Sequence, residues 1–383
     1  MHTIGILLPR STFYDTMSYD LFQGLKAGIR SMGNDNIRIT TENIGFGADK
    51  QQCYRGAEKL LLEENASVVI AYIGHRTAQL LRPLFLAANR LLIVLDAGAS
   101  LPQEWPSCPS IFYLSLQNAL GAWLAGTMAV EEGHLAGGMV TGYYDGGYLH
   151  TYSISKSFEQ AGGTIRFNHA TGYTDDDFSM KPLTAHLEEN PESALLSLFS
   201  GDFLQWYFRE VKENLIPNTA PIYLSPFGMD ENVLEVSDFP NNKVRGIAAW
   251  SKTIKTQPNQ NFCVAMEEAS RTPNLFSLLG WESAIVASTA LSLADSTKNN
   301  ISEMAEALHD FTFESPRGTI SFDPKTNTSI APLYKASVAS SLQGKCILQI
   351  EEMVSNTKES FQSMAGEDLN GAYSSWYNSY TCI

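Results

Sequence analysis

The sequence predicts an α/β protein made of two doubly wound lobes with parallel sheets. The runs Val68–Ile73 and Leu91–Leu95 are apolar throughout, which is typical of strands buried on both faces of a parallel sheet. Strand and helix patterns alternate regularly along the chain in two successive series. Residues 270–335 return after the second series, so several crossings are expected to join the lobes.

The first series alternates apolar strands with helices that carry one apolar face, as Leu21, Leu25 and Ile29 do in the first helix. Strands are predicted at Thr3–Leu8, Ile37–Asn43, Val68–Ile73, Leu91–Leu95 and Ser110–Leu114, and helices at Tyr19–Met32, Asp49–Glu63 and Gln117–Glu132. The last of these helices is rich in small and apolar residues, which favours tight packing.

The second series repeats the alternation and ends in antiparallel strands. Strands are predicted at Gly137–Tyr143, Gly163–Ala170, Ser193–Phe199, Pro221–Leu224 and Val244–Trp250, and helices at Thr151–Gln160, Lys181–Asn190, Asp202–Asn214, Asn274–Ala294 and Ser302–Asp310. A Pro/Asn turn at 323–327 predicts a hairpin of Gly318–Phe322 with Tyr334–Ser340. Cys346–Met353 reads as a late strand, and residues 355–383 are a polar, aromatic tail.

Composition excludes several classes of function. The chain has 383 residues, 44% hydrophobic and 17% charged, which indicates a folded protein of about two domains. A net charge of −15 without a basic cluster argues against a nucleic-acid partner. No run approaches the roughly 18 apolar residues of a membrane-spanning helix. No leader precedes the first strand, which indicates a cytosolic protein or the removal of a signal segment.

Motifs for catalysis or for cofactors are missing from the sequence. The five cysteines form no CxxC pair, so isolated thiols are expected at Cys53, Cys108, Cys263, Cys346 and Cys382. The chain has no HExxH, GxSxG or Walker A motif, and its seven histidines are scattered. We therefore expect no metal, no cofactor and no enzymatic activity.

The loop after the third strand is a candidate anion site. Residues 74–78 join a buried strand to a helix whose first N–H groups lack intrahelical partners, which favours a carboxylate. Arg76 can hold a carboxylate through two parallel bonds, and His75 and Thr77 can add polar contacts. Alternatively, Thr77 caps the helix, Arg76 points into solvent and His75 makes a local hydrogen bond.

Small or polar residues at three other strand ends are further candidates. Ala97, Gly98 and Ala99 would let a ligand approach the backbone, or they form a plain turn. Asp202 and Phe203 end one later strand and Phe227 ends the next, so they would supply the wall of the second lobe. Asp202 could pair with an α-ammonium group or could cap the helix that it begins.

In four segments the chain resembles the type I periplasmic binding proteins, specifically the branched-chain amino-acid receptors of ABC transporters. These segments are Ile4–Pro9 with Tyr14 and Gly24–Gly28, residues 66–100, Tyr143–Tyr148, and Phe313–Asp323, which is similar to the closing f-G-x-x-x-f-D hairpin of the family. Their order and spacing extend over more than 300 residues.

The resemblance implies two lobes joined by a three-strand hinge, with a ligand cleft between them. One lobe would comprise 1–116 with 251–330, the other 117–250 with 331–355, and 356–383 would be a C-terminal extension. In the family, positions matching Tyr14 and Tyr148 close over the ligand, and positions matching Ala97, Gly98 and Ala99 bind its amino and carboxyl groups.

The expected function is solute binding for an ABC-type uptake system. The ligand would be an amino acid or a related carboxylate, the partner a membrane permease, and the protein a monomer or weak dimer outside the cytoplasmic membrane. A cytosolic ligand sensor, a receptor ectodomain of the same fold and a doubly wound enzyme are the alternatives.

Overall fold

The computed structural model describes residues 2–34, 36–101, 106–214, 216–297, 300–368 and 378–381. In this described part, the strands of the first sheet are β1 (His2–Leu8), β2 (Ile37–Asn43), β3 (Val68–Tyr72), β4 (Leu91–Asp96) and β5 (Ile111–Ser115). They pair in parallel in the order β2–β1–β3–β4–β5, one of the two common doubly wound orders. The fold class predicted from the buried apolar runs is therefore confirmed.

Helices cover both faces of the first sheet. The helices of this lobe are α1 (Met17–Ser31), α2 (Lys50–Leu62), α3 (His75–Ala88), α9 (Gln257–Glu268), α10 (Leu275–Ser296) and α11 (Ile301–His309). Alternate residues of β3 enter two cores: Ile70 lies in the core with α1 and α10, and Val69 in the core with α2 and α3. Burial on both faces explains why this strand is apolar throughout.

The second sheet repeats the strand order of the first. Its strands are β6 (Ala136–Thr141), β7 (Thr164–Ala170), β8 (Ala194–Leu198), β9 (Ile222–Leu224), β10 (Val244–Ala248), β14 (Tyr334–Ser340) and β15 (Cys346–Met353). β7–β6–β8–β9–β10 are parallel, and β14 and β15 continue the sheet in antiparallel pairing. The helices of this lobe are α4 (Asn118–Glu131), α5 (Leu149–Gln160), α6 (Lys181–Glu189), α7 (Gly201–Glu213) and α8 (Glu231–Leu234).

Between residues 2 and 368, the described chain passes between the two lobes three times. The crossings follow β5, β10 and the short strand β13 (Ser329–Ile330). β13 stays with the first lobe, where the Ser329 hydroxyl accepts a hydrogen bond of 2.9 Å from the backbone N–H of Ser115. The residue boundaries predicted for the lobes stay a prediction.

The predicted hairpin of Gly318–Phe322 with Tyr334–Ser340 is wrong. The strand β12 (Gly318–Phe322) pairs instead with β11 (Phe313–Ser315) and with β13. Tyr334–Ser340 crosses into the second lobe and pairs with β10 and β15. The alternating pattern showed two strands and a turn, but a strand's pairing partner depends on the path of the chain after the turn.

Besides the four-residue helix α8, two helices went unpredicted. One is α9, which begins after the capping side chain of Thr256. The other, α12 (Thr357–Ala365), lies within the stretch predicted as an extension and packs against the second lobe. There the Ser153 hydroxyl lies 3.7 Å from the Met364 sulfur, and Gln160 Nε2 donates to Glu367 at 2.9 Å.

One described helix is long and apolar enough to cross a membrane by length and composition alone, namely Leu275–Ala294 of α10. Its mean hydropathy is 1.3, and 83% of it is buried inside the protein. It packs on α1 and on the first sheet, and this position accounts for its apolar character.

Candidate ligand cavity between the lobes

A cavity of ≈ 720 Å³ lies between the carboxyl ends of the two sheets. Its described lining comes from loops after six strands and from residues near 380: Thr12, Phe13, Tyr14, Phe46, Ala48, Tyr144, Tyr148, Tyr173, Ser200, Gly201, Asp202, Phe203, Trp206, Phe227, Asn378, Tyr380 and Thr381. In doubly wound sheets, ligands bind beyond the carboxyl ends of the strands where the strand order reverses. The volume is within the range of small-molecule sites.

Aromatic rings form most of the cavity wall. Ten of the lining residues are aromatic, so the wall offers a large apolar surface with polar tips. The rings of Phe203 and Trp206 lie 4.9 Å apart between centroids, and those of Tyr148 and Phe227 5.7 Å apart. Such a wall suits a ligand with an apolar or aromatic part.

The helix α7 begins at the cavity. Ser200 is its N-cap residue, and Asp202 lies in its first turn. Gly201 has φ of +52°, and a Cβ there would lie 3.4 Å from the ring of Phe13 in the other lobe. Burial raises the pKa of the Asp202 carboxyl, but its side chain stays accessible from the cavity. Among the described lining residues, Asp202 has the one charged side chain.

Behind this wall Asp145 holds the start of α7 in place. One oxygen of its carboxyl accepts hydrogen bonds from the backbone N–H and the hydroxyl of Ser200, at 3.1 and 3.0 Å. The other oxygen lies 3.9 Å from Nε2 of His150, which is too far for a hydrogen bond. Burial raises the pKa of Asp145 to about 7 and lowers that of His150 to about 3, so both side chains favour their neutral forms.

Asp145→Asn should change how stability depends on pH. Between about pH 4 and pH 7 the folded protein keeps a proton on Asp145 that the unfolded chain releases, so stability falls as pH rises through this window. Asparagine does not ionise and can still accept both bonds from Ser200. Between pH 5 and pH 8, we expect the free energy of unfolding of the variant to rise by about 2–3 kcal/mol relative to that of the wild type.

Urea unfolding of both proteins at pH 5, 6.5 and 8 would measure this difference. His150 acts in the opposite sense, because its depressed pKa removes stability as pH falls below about 6.5. Asp230, whose pKa burial also raises to about 7, is present in both proteins and cancels in the comparison. Parallel pH profiles would contradict the prediction.

Five of the residues predicted as site residues line the cavity: Tyr14, Tyr148, Asp202, Phe203 and Phe227. They come from both lobes, and the hydroxyl of Tyr14 donates across the cleft to Asp230 at 3.5 Å. Asp202 does not cap α7, because Ser200 occupies the N-cap position. Contact of these five with a solute stays a prediction.

The residues predicted after β3 lie outside this lining. Nε2 of His75 is 2.6 Å from a carboxylate oxygen of Asp96, so His75 makes a local contact between two strand ends. Arg76 is exposed on α3. The N-cap of this helix is Gly74, so Thr77 does not cap it, and the Thr77 hydroxyl is buried without a hydrogen-bond partner in the described structure.

Ala97, Gly98 and Ala99 are also outside the lining. Their carbonyl oxygens accept backbone hydrogen bonds from Asn118, Ala119 and Leu149, respectively. Gly98 has φ of +65°, and a Cβ there would lie 2.2 Å from the Ser115 hydroxyl and 2.5 Å from a backbone nitrogen. These carbonyl groups therefore hold β4 to the start of the second lobe.

Sequence analysis did not identify several of the residues that line the cavity. Trp206 follows Phe203 by three residues, so helical periodicity places both on one face of α7 and could have indicated it. Phe13 adjoins the predicted Tyr14. No local signal marks Asn378, Tyr380 and Thr381, because their place in the cavity depends on contacts with residues more than 300 positions away.

Other reactive groups of the described residues lie apart from the cavity lining. Cys53, Cys108, Cys263 and Cys346 are free thiols, whereas Cys382 lies outside the described residues. Burial raises the pKa of Cys53 to about 11. Within the described part of the chain, no three His, Cys, Asp or Glu side chains are grouped so that they could hold a metal ion.

Comparison with known families decides how this architecture is classified. The family model described as a periplasmic binding protein matches residues 2–343. The chain belongs to the periplasmic binding protein family. This match confirms the resemblance carried by the strand-end motifs and the solute-binding role that it implied. No curated protein matches this periplasmic binding protein.

Solved structures share the fold of this periplasmic binding protein along most of its length. An ABC transporter substrate-binding protein from Sphaerobacter thermophilus has a TM-score of 0.79 at 18% identity, covering 93% of this chain and 98% of that one. A solute-binding protein from Rhodopseudomonas palustris BisB5, in complex with 3,4-dihydroxybenzoic acid, has 0.74 at 18%, covering 92% and 97%. The leucine-binding protein LivK from Thermotoga maritima has 0.70 at 13%, covering 94% and 100%.

Proposed function

We propose that this chain is the solute-binding protein of an ABC-type uptake system and that its solute is an amino acid with an apolar or aromatic side chain. The observation that carries the choice of solute is the position of Asp202. It is the one charged side chain among the described lining residues, and aromatic rings surround it. A carboxylate within an aromatic wall favours a ligand that carries an ammonium group next to an apolar part.

The two ends of an amino acid would meet different groups. The ammonium group would pair with Asp202. The carboxylate would lie near the positive end of the α7 dipole, beside Ser200 at the start of that helix. This arrangement leaves the solute's side chain among the rings of Tyr148, Phe203 and the neighbouring wall.

We assign solute contact to Tyr14, Tyr148, Asp202, Phe203 and Phe227. The six other predicted residues lie around the ends of β3 and β4, and we assign them to the framework that holds the first lobe at the cleft. His75 with Asp96, and the carbonyl of Ala97 with Asn118, already have partners there. Closure of the lobes would bury the solute between both walls.

Asp202→Asn tests the choice of solute. We expect it to weaken the binding of L-leucine or L-phenylalanine about tenfold or more, the scale of one hydrogen bond to a charged group. Isothermal titration calorimetry at pH 7.5 would measure the dissociation constants. Benzoate, which has no ammonium group, serves as the control probe and should not lose affinity. Equal affinity of wild type and variant for both amino acids would contradict the assignment.

An aromatic carboxylate is the second candidate. The R. palustris protein with 3,4-dihydroxybenzoic acid has the same fold, and the aromatic wall would accept such a ring. The guanidinium of Arg10 lies 4.7 Å from the ring centroid of the lining residue Phe46 and would supply a cation beside the cavity. Binding of 3,4-dihydroxybenzoate by the wild type, without binding of either amino acid, would favour this candidate.

The remaining parts of the proposal follow from the family. A periplasmic binding protein delivers its solute to a membrane permease, so we infer a permease partner and a location outside the cytoplasmic membrane. The protein would bind its solute without transforming it, as a monomer or weak dimer. Recovery of unchanged solute after release from the protein would test whether the protein binds the solute without transforming it.

A further inference from the structure

The segment Asn378–Thr381 forms part of the cavity wall and is hydrogen-bonded to the first lobe. The Ser11 hydroxyl donates to the carbonyl of Tyr380 at 2.7 Å, and the backbone N–H of Thr12 donates to the carbonyl of Thr381 at 3.3 Å. The Asn378 side chain donates to the carbonyl of Tyr72, the last residue of β3, at 3.3 Å. These three contacts all join the segment to strand ends and loops of one lobe.

The ring of Tyr380 reaches from this anchor to the other lobe. Its centroid lies 4.7 Å from that of Phe227, which belongs to the second lobe. On the first lobe it lies 5.2 Å from Tyr14 and 5.4 Å from Phe276. Tyr380 is 5% exposed, so the ring fills the space between the lobes.

The backbone of Tyr380 indicates that this position is held by its surroundings. Its φ of +64° lies in the left-handed region, which a bulky residue rarely adopts and which costs free energy. The segment also lies beyond residues 2–343, the stretch that the family model matches. Its presence in the cavity is therefore a feature of this chain that the family match does not account for.

We propose that Tyr380 is an affinity-determining residue of the solute site, which holds the two lobes together from the wall of the cavity. This inference rests on the proposed function. Because the segment is anchored to the first lobe, opening of the cleft would break the contact between Tyr380 and Phe227. That contact favours the closed arrangement, and a larger closed fraction strengthens the apparent affinity for the solute.

The test compares Tyr380→Ala with Tyr380→Phe, using L-leucine and L-phenylalanine as probes. We expect about tenfold weaker binding and faster dissociation for the alanine variant, since it loses the ring contacts to both lobes. The phenylalanine variant keeps the ring and should bind within about twofold of the wild type. Tyr54→Ala is the matched control, because Tyr54 lies on α2, is 37% exposed and does not line the cavity.

Two further measurements keep the outcome interpretable. A chain ending at residue 377 removes the segment without creating a cavity inside a helix or strand, and it should behave as the alanine variant does. Small-angle X-ray scattering without any probe should show a larger radius of gyration for Tyr380→Ala and for the truncated chain than for the wild type. Unchanged affinity with an unchanged radius, or tighter binding by the alanine variant, would overturn the inference.

The scattering measurement also separates this inference from the proposed solute. If the wild type binds neither amino acid, the choice of solute fails. The radius of gyration of the wild type and of Tyr380→Ala then decides the role of Tyr380 alone: a larger radius supports it and an equal radius refutes it.

Discussion

Arg317→Met is expected to lower the free energy of unfolding by about 3–5 kcal/mol, because it leaves a buried carboxylate without its partner. Arg317 and Glu282 are both fully buried. The guanidinium donates Nε to one carboxylate oxygen at 2.7 Å and a terminal nitrogen to the other at 2.8 Å. Methionine keeps an unbranched apolar stem but supplies no donor and no charge.

The double variant Glu282→Leu with Arg317→Met is the matched control. It removes both charges, so most of the lost stability should return, as for other buried pairs replaced by apolar residues. Urea unfolding at pH 7 would measure the free energy of all three proteins. An Arg317→Met variant as stable as the wild type would contradict the prediction.

The position of this pair couples the lobes. Arg317 also donates to the carbonyl of Ser115, at the end of β5 where the first crossing begins, with a distance of 3.0 Å. Its own carbonyl accepts a bond of 3.0 Å from the hydroxyl of Tyr334, the first residue of β14 in the second lobe. We therefore expect the stability loss to appear in one cooperative transition of both lobes.

Gly24→Ala is expected to destabilise the protein by about 1–3 kcal/mol or more, although alanine is the better helix former by about 1 kcal/mol. A Cβ at Gly24 of α1 would lie 2.0 Å from the carbonyl oxygen of Ser277 and 2.7 Å from its carbonyl carbon. Both atoms belong to the backbone of α10, so the clash is relieved only when one helix moves. The two helices form much of the core on one face of the first sheet.

Thermal and urea unfolding of Gly24→Ala would measure this effect, with Gly146→Ala as the control. The nearest atom to a Cβ at Gly146 is 3.6 Å away, which is ordinary van der Waals contact. The control should therefore stay within about 0.5 kcal/mol of the wild type, as for substitutions that meet no close neighbour. Equal stability of the two variants would show that α1 and α10 can separate at no cost.

How far the sequence could predict the site depended on how local each signal was. Tyr14, Tyr148, Asp202, Phe203 and Phe227 follow strands whose ends face the cleft, so strand position and family resemblance together located them. The same reasoning also selected residues after β3 and β4, because every parallel strand of a lobe ends at the same edge. Only the arrangement of the lobes shows which strand ends face the cavity.

The sequence alone determined the fold class, the order of nearly all strands and helices, and membership of the family. These properties follow from burial patterns with a period of a few residues and from motifs in a set order. Both kinds of signal are carried by residues that are close together in the sequence. The tertiary structure decided the partner of Tyr334–Ser340, the buried pair of Arg317 with Glu282, and the place of Tyr380 in the cavity. Each of these depends on contacts between residues distant in the chain, and the local pattern around a residue does not specify its distant partner.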